Sequence, residues 1–206
     1  MSHPFLIGPR IQLRAMEETD AEAFLPWVNA PEMRAFLLVR FPRSLKSERE
    51  WIAAMTAEKE PPANIAWAIE LVSDNRLIGA IGMHRIEWPR RRAMTGIFLF
   101  PESMRGKGYG TEAKNLVIDY AFAELGLRSL WTTVFEHNQA SIHAIEKQGY
   151  RRGGVMRKTI LVNGVWRDEI YYDLLREEWE AMRGIEPGEA AGAPPKTKAA
   201  RTKRGR

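Results

Sequence analysis

The spacing of apolar positions changes character along this chain. Arg10-Ile-Gln-Leu-Arg14 alternates and predicts a first strand. Thr19 or Asp20 is placed to cap a helix that runs through Trp27 and ends by Pro31. Ser44 to Lys59 reads as a second helical region, with Leu45, Trp51, Ile52 and Met55 on its apolar side, and Pro61-Pro62 stops it. Asn64 to Val72 and Leu77 to Trp88 then read as strands around the turn Ser73-Asp74-Asn75-Arg76. Gly79 and Gly82 allow a bend or a close approach in the longer strand. Pro89 to Arg92 is a loop, and Ala93 to Phe100 is a short apolar strand.

From Phe100 onward strands and helices alternate. A glycine-rich loop leads into a helix from about Thr111 to Glu124, with Leu116, Val117, Tyr120 and Ala121 at helical spacing and Gly126 at its end. Leu130 to Phe135 is a β-branched and aromatic strand. Asn138 to Gln148 is a helix closed by Gly149. Tyr150–Val162 and Val165–Leu175 form a hairpin on Asn163-Gly164, the strongest short hairpin signal in the chain. Beyond Gly184, Gly, Pro, Ala and Lys dominate, so residues 184–206 are expected to be disordered. The expectation is one α/β (α+β) domain over residues 1–183, followed by a basic tail.

Composition narrows the chemistry. The chain has 206 residues, 45% of them hydrophobic, enough for a full core. It has no cysteine, which excludes disulfides, thiolate metal sites and cysteine nucleophiles; no metal site is expected. No apolar run approaches the ~20 residues of a membrane span, and Met1 to Arg10 lacks the order of a signal peptide. The expected setting is cytoplasmic, with no membrane contact. Of the net charge of +5, the tail carries +4, from six basic residues against Glu186 and Glu189. The domain is therefore nearly neutral. The tail is a candidate for nucleic-acid or ribosome contact or a solubilising terminus, and it has no aromatic to stack on bases.

The loop Pro101-Glu-Ser-Met-Arg105-Gly-Lys-Gly-Tyr-Gly-Thr111 places glycines between a strand and a helix. Unpartnered N–H groups at a helix start, the helix dipole and glycines that admit an anion make a pyrophosphate site. Arg105 and Lys107 add charge. The spacing fits neither G-x-x-x-x-G-K-[ST] nor G-x-G-x-x-G.

Arg105, Gly108 and Gly110 resemble the [RQ]-x-x-G-x-[GA] motif of the GNAT (general N-acetyltransferase) superfamily. Asn138-Gln-Ala-Ser141 and Glu146-Lys-Gln-Gly-Tyr150 resemble its second segment. Gly164–Asp168 and Leu174–Trp179 resemble the end of the ribosomal-protein-alanine N-acetyltransferase branch. The resemblance covers roughly residues 8 to 180. It implies a mixed, mostly antiparallel twisted sheet split between its fourth and fifth strands, here Ala93–Phe100 and Leu130–Phe135, with acetyl-CoA as cosubstrate in the split. It implies that backbone groups near Leu99 and Phe100 meet the pantetheine and polarise the acetyl carbonyl. The N–H groups of Arg105, Gly106, Lys107, Gly108, Tyr109, Gly110 and Thr111 would hold the pyrophosphate. Asn138 would bond the pantetheine, and Lys147 would lie toward the nucleotide.

Direct transfer to an amine needs a base, because a lysine-like amine has a pKa of about 10.4. It also needs a donor for the leaving thiolate. Many members carry a Tyr four residues after the Ser141 position; this chain has Ile145 there. Ser141 is the candidate proton donor, beside the alternative that its hydroxyl bonds backbone in the first helical turn. The strand acid common in the ribosomal branch is also missing, since Arg157–Ile160 holds none. Base candidates are His84, Glu87, Glu70 and Asp168, with His84 preferred because it titrates near neutrality. The acceptor is an amine of a peptide N-terminus or a small molecule, met by a pocket drawing on Trp27, Phe36, Phe41, Trp51, Trp67 or Trp88. Arg90-Arg91-Arg92 is a solvated loop or an attractor for an acidic substrate. The missing groups leave a second reading, a CoA-binding module with little turnover; a homodimer is also open.

Overall fold

The protein is seen in a computed structural model that describes residues 3–37, 39–57 and 60–186. The polar tail beyond Glu186, and the expectation of disorder attached to it, lie outside the described residues. Eight strands form one sheet in the order β1-β2-β3-β4-β5-β6-β8-β7. They are β1 Pro4–Ile7, β2 Ile11–Ala15, β3 Ile65–Leu71, β4 Leu77–Glu87, β5 Arg92–Leu99, β6 Ser129–Phe135, β7 Arg151–Val162 and β8 Val165–Leu175. Every pairing is antiparallel except β5 with β6, which is parallel.

The alternation of side chains along each strand divides the core between the two sheet faces. On the first face, Ile11, Leu13, Ile69, Ile81, Ala93, Leu130 and Leu174 form the large cluster. It is covered by α4 (Tyr109–Asp119), α5 (Gln139–Lys147) and α6 (Arg176–Arg183) through Ala113, Val117, Ile142, Ile145 and Trp179. On the second face, Ala66, Ala80 and Phe100 meet Phe24 of α1 (Ala21–Asn29) and Ile52 of α3 (Leu45–Met55). Short α2 (Pro31–Arg34) follows α1 at once, because Pro31 suits a first helical turn.

The two helical regions near the N-terminus, the long hairpins and the β/α alternation stand where the apolar pattern places them. Ser44 caps α3 as a box with Ser47. The helix expected over Thr111–Glu124 is α-helical only to Asp119; Tyr120–Glu124 is a π-helical turn. Glu70, Arg14 and Asp20 form a buried network on the second face, with Arg14 Nε 2.7 Å from Glu70 and Arg14 Nη2 2.7 Å from Asp20. This ties β2 and β3 to the start of α1.

Candidate active site

β5 and β6 pair only from Arg92 to Met94 and from Ser129 to Trp131, then diverge into a fork. At the first step past the pairing, the Thr132 hydroxyl donates to the Thr95 carbonyl (2.8 Å), and Thr95 Oγ1 lies 3.0 Å from the Tyr150 hydroxyl. All three residues are buried. Lys114 of α4 lies over the Tyr150 ring, its Nζ 4.9 Å from the centroid. Burial lowers the Lys114 amine to about 7 and raises the Tyr150 hydroxyl. Four residues distant in sequence thus close the base of the fork.

In an antiparallel ladder, alternate residues turn their backbone groups to the same neighbour. Phe100 donates its N–H to the Ile78 carbonyl at 2.8 Å. Thr95 offers its carbonyl the other way, to β6. Ile97 and Leu99 share that phase and face the fork. The expectation for Phe100 therefore needs revision: its N–H is held by β4, and its ring packs with Phe24, Trp27 and Phe98 on the second face.

The glycine loop follows the open end of β5. Gly106 and Gly108 have φ of 71° and 84°, conformations that L side chains rarely adopt. A Cβ on Gly108 would meet Arg10 Nη2 at 3.2 Å, and one on Gly110 would meet Leu99 Cδ1 at 3.3 Å. The first bond of α4 runs from Glu112 N–H to Gly108 O, so the N–H groups of Tyr109, Gly110 and Thr111 precede the helical ladder. Arg105 differs from expectation. Its N–H donates to Glu102 O at 2.9 Å, and its guanidinium contacts the Leu99 carbonyl and Met33 Sδ. The loop is braced by Arg10, which bonds Lys107 O (2.9 Å) and Glu112 Oε2 (2.8 Å) and lies over the Tyr109 ring. Arg10 is 102 residues from Glu112. No local pattern signals this brace.

Across the fork, the Asn138 side-chain oxygen caps α5 by accepting from Ser141 N–H at 3.2 Å. Ser141 is half-buried in the first turn, and Lys147 is exposed in the last. Ile145, where a tyrosine is common, is buried in the large cluster. α4 and α5 cover the first face, so the glycine loop, Asn138 and Ser141 approach the fork from that side.

The second face carries His84. Gly82 pairs with Gly96 and His84 with Met94 across β4 and β5. A Cβ on Gly82 would meet the His84 ring at 2.8 Å, and one on Gly96 would meet it at 3.6 Å. The imidazole therefore lies over a patch cleared by two glycines beside the fork. Burial, then Arg85, lowers its pKa from 6.5, so it is neutral at pH 7. The other carboxylate candidates are engaged elsewhere. Glu70 belongs to the Arg14 network. Glu87 binds Arg92 and Arg90. Asp168 accepts from Lys158 N–H, which holds its carboxyl below the usual range. Of the aromatic candidates, Trp27 stacks on Phe100 and Phe36 on His137, whereas Trp67 is core and Phe41 is exposed.

A sheet forked at its parallel pair of strands, with a glycine loop leading into the helix that follows, is the frame that the resemblance to acyl-CoA-dependent acyltransferases implies. Residues 10–151 match the family model described as "Acetyltransferase (GNAT) domain", and the chain belongs to that family. It is 30% identical over 173 residues to the N-acetyltransferase YoaA of Bacillus subtilis strain 168, covering 84% of this chain and 97% of that protein. It is 31% identical over 108 residues to the spermidine N(1)-acetyltransferase of Escherichia coli K12, 52% of this chain and 58% of that protein. The crystal structure of spermidine N-acetyltransferase from Vibrio cholerae in complex with CoA and spermine superposes with a TM-score of 0.76. That match has 22% identity and covers 84% of this chain and 99% of that one. The protein is thus an acetyl-CoA-dependent N-acetyltransferase. Among the described residues no group of His, Asp and Glu could hold a metal ion, and no helix is long and apolar enough to cross a membrane.

Proposed function

We propose that this enzyme moves the acetyl group of acetyl-CoA directly to a primary amine held on the second face of the fork. The observation that carries this reading is the fork itself, with the donor loop on one side and His84 over Gly82 and Gly96 on the other. The N–H groups of Gly106 to Thr111 hold the pyrophosphate; that of Arg105, turned to Glu102, is left out. Asn138 and the fork-facing backbone of Ile97 and Leu99 guide the pantetheine. His84 takes a proton from the incoming ammonium and passes it to solvent, the free amine attacks the thioester carbon, and the proton left on the attacking nitrogen is then taken up by His84. A fork-facing N–H stabilises the oxyanion. The C–S bond breaks, and Ser141 donates its proton to the thiolate and is reprotonated from solvent.

The acceptor is a small-molecule amine, such as the polyamine for which the spermidine relative is named, or a peptide N-terminus, as the resemblance of Gly164–Asp168 to the ribosomal branch suggests. Purified protein mixed with acetyl-CoA and a panel of amines is expected to release free thiol with at least one of them. CoA binding without thiol release on any amine would support the binding-module reading instead.

A further inference from the structure

The base of the fork holds one charge-bearing side chain that the proposed steps leave unused. Lys114 lies in α4, the helix that opens on the glycine loop. It follows Thr111 by three residues and so shares its side of the helix. It is only 4% exposed. Its Nζ rests over the Tyr150 ring, and the Tyr150 hydroxyl meets Thr95 at the first step past the β5–β6 pairing. The amine therefore stands at the fork base on the first face, the side from which the glycine loop, Asn138 and Ser141 approach.

Among the described residues Lys114 makes no hydrogen bond or ion pair, and burial is the one cause that lowers its amine. Tyr150, Thr95 and Thr132 bring it no charge. The charged groups of the surrounding elements face elsewhere. Glu112 binds Arg10, Asp119 binds Arg183, Glu146 accepts from the Tyr172 hydroxyl, and Arg151 binds Glu178. Lys107, His143 and Lys147 are exposed, and His84 lies on the other face. A lysine this deeply buried is ordinarily paired.

Two further features gather at the same place. Ile145 stands where a tyrosine is common, and its carbonyl accepts the N–H of Tyr150 at 3.1 Å. The side chain that lacks a hydroxyl and the ring beneath the Lys114 amine are thus neighbours. Gln148 Nε2 donates to the Thr111 carbonyl at 3.1 Å, while its Oε1 is buried with no partner. A carbonyl only accepts, so the amide is oriented and Oε1 is a bare acceptor. Buried polar atoms without partners are uncommon in proteins. Here α4 and the end of α5 leave a donor and an acceptor open, beside the glycine loop and the fork base.

Departure of a thiolate calls for a group of this kind. A serine hydroxyl is not among the side chains that ordinarily ionise, so Ser141 can pass a proton but brings no charge of its own. Resting on the function proposed above, we infer that the Lys114 ammonium meets the CoA sulfur at the base of the fork and offsets the negative charge that forms there as the acetyl group leaves. The electron pair of the broken C–S bond stays on sulfur, and Lys114 keeps its proton. The proton that neutralises the thiolate comes from Ser141, as in the steps above. The charge on sulfur in turn favours the ammonium form of Lys114.

The test needs no acceptor. The full chain is saturated with CoA, with binding followed by calorimetry, and the ionisation of the bound thiol is read from the ultraviolet absorbance of the thiolate across a pH series. The complex with desulfo-CoA supplies the baseline. Free CoA thiol ionises at about 8.5. In the wild type the bound thiol is expected to ionise about 1–3 pH units lower, the effect of an adjacent opposite charge. In Lys114→Met and in Lys114→Gln it is expected to return to the free value with CoA still bound. A bound thiol that ionises like the free one in the wild type overturns the inference. So does a lowered value that survives both substitutions, which would assign the effect to the start of α5. Failure of the wild type to bind CoA would instead overturn the functional reading beneath it.

Discussion

The neighbours of His84 set its protonation, and with it the base role proposed for it. A strand histidine is ordinarily half-solvated, but Gly82 and Gly96 let this ring lie flat beside the fork. Burial and Arg85 lower its pKa, so it stays ready to accept a proton below pH 6.5. Replacing it (His84→Gln) is expected to reduce kcat by about 10²–10⁴-fold and to remove the acidic limb of the pH–rate profile, while CoA affinity is kept. The linkage has a definite sign. The folded state binds this proton less readily than the unfolded chain, so stability is lost as pH falls through 6.5 and below. A His84→Gln protein is expected to lose less stability over that window in thermal melts.

At the scale of elements, the loop and α4 hold two opposed features. Gly108 has a φ of 84° and sits against Arg10. Gly108→Ala is expected to cost about 1–2 kcal/mol of stability and to weaken CoA binding more than tenfold, measured by calorimetry. Lys114, four residues into the same helix from Gly110, is buried with an amine lowered to about 7. Its charged form is disfavoured in the fold, so the cost is absent well above pH 10.5, grows as pH falls and is complete below 7. Lys114→Met is expected to raise stability at pH 7 by on the order of a few kcal/mol, and by much less at pH 10. Equal gains at both pH values would refute the burial argument.

The glycine loop was legible in sequence because a strand, glycines and a helix start are local signals. So were Asn138 and Ser141, one helical turn apart. The fork's base was not. Thr95, Thr132, Tyr150 and Lys114 come from four elements and carry no motif, and the Arg10–Glu112 brace spans 102 residues. Phe100 was misassigned because strand phase depends on the partner strand: only the bond to Ile78 shows which way its N–H points. The short strand β1 and helix α6 fell outside the apolar pattern. Pro4–Ile7 is a mostly exposed edge, and α6 is anchored chiefly by Trp179 and by Arg183 on Asp119.

Over the whole molecule, the proposed function puts donor and acceptor on opposite faces of the sheet. The glycine loop, Asn138 and Ser141 approach the fork from the first face and His84 lies on the second. The chain has no cysteine to carry an acyl group, and Ser141 has no base beside it among the described bonds. The proposed direct transfer requires both substrates to be bound together before the acetyl group moves. Initial velocities measured over a grid of acetyl-CoA and amine concentrations test this most directly. Double-reciprocal lines that intersect are the expected result. Parallel lines, the mark of an acyl-enzyme formed before the amine arrives, would contradict it.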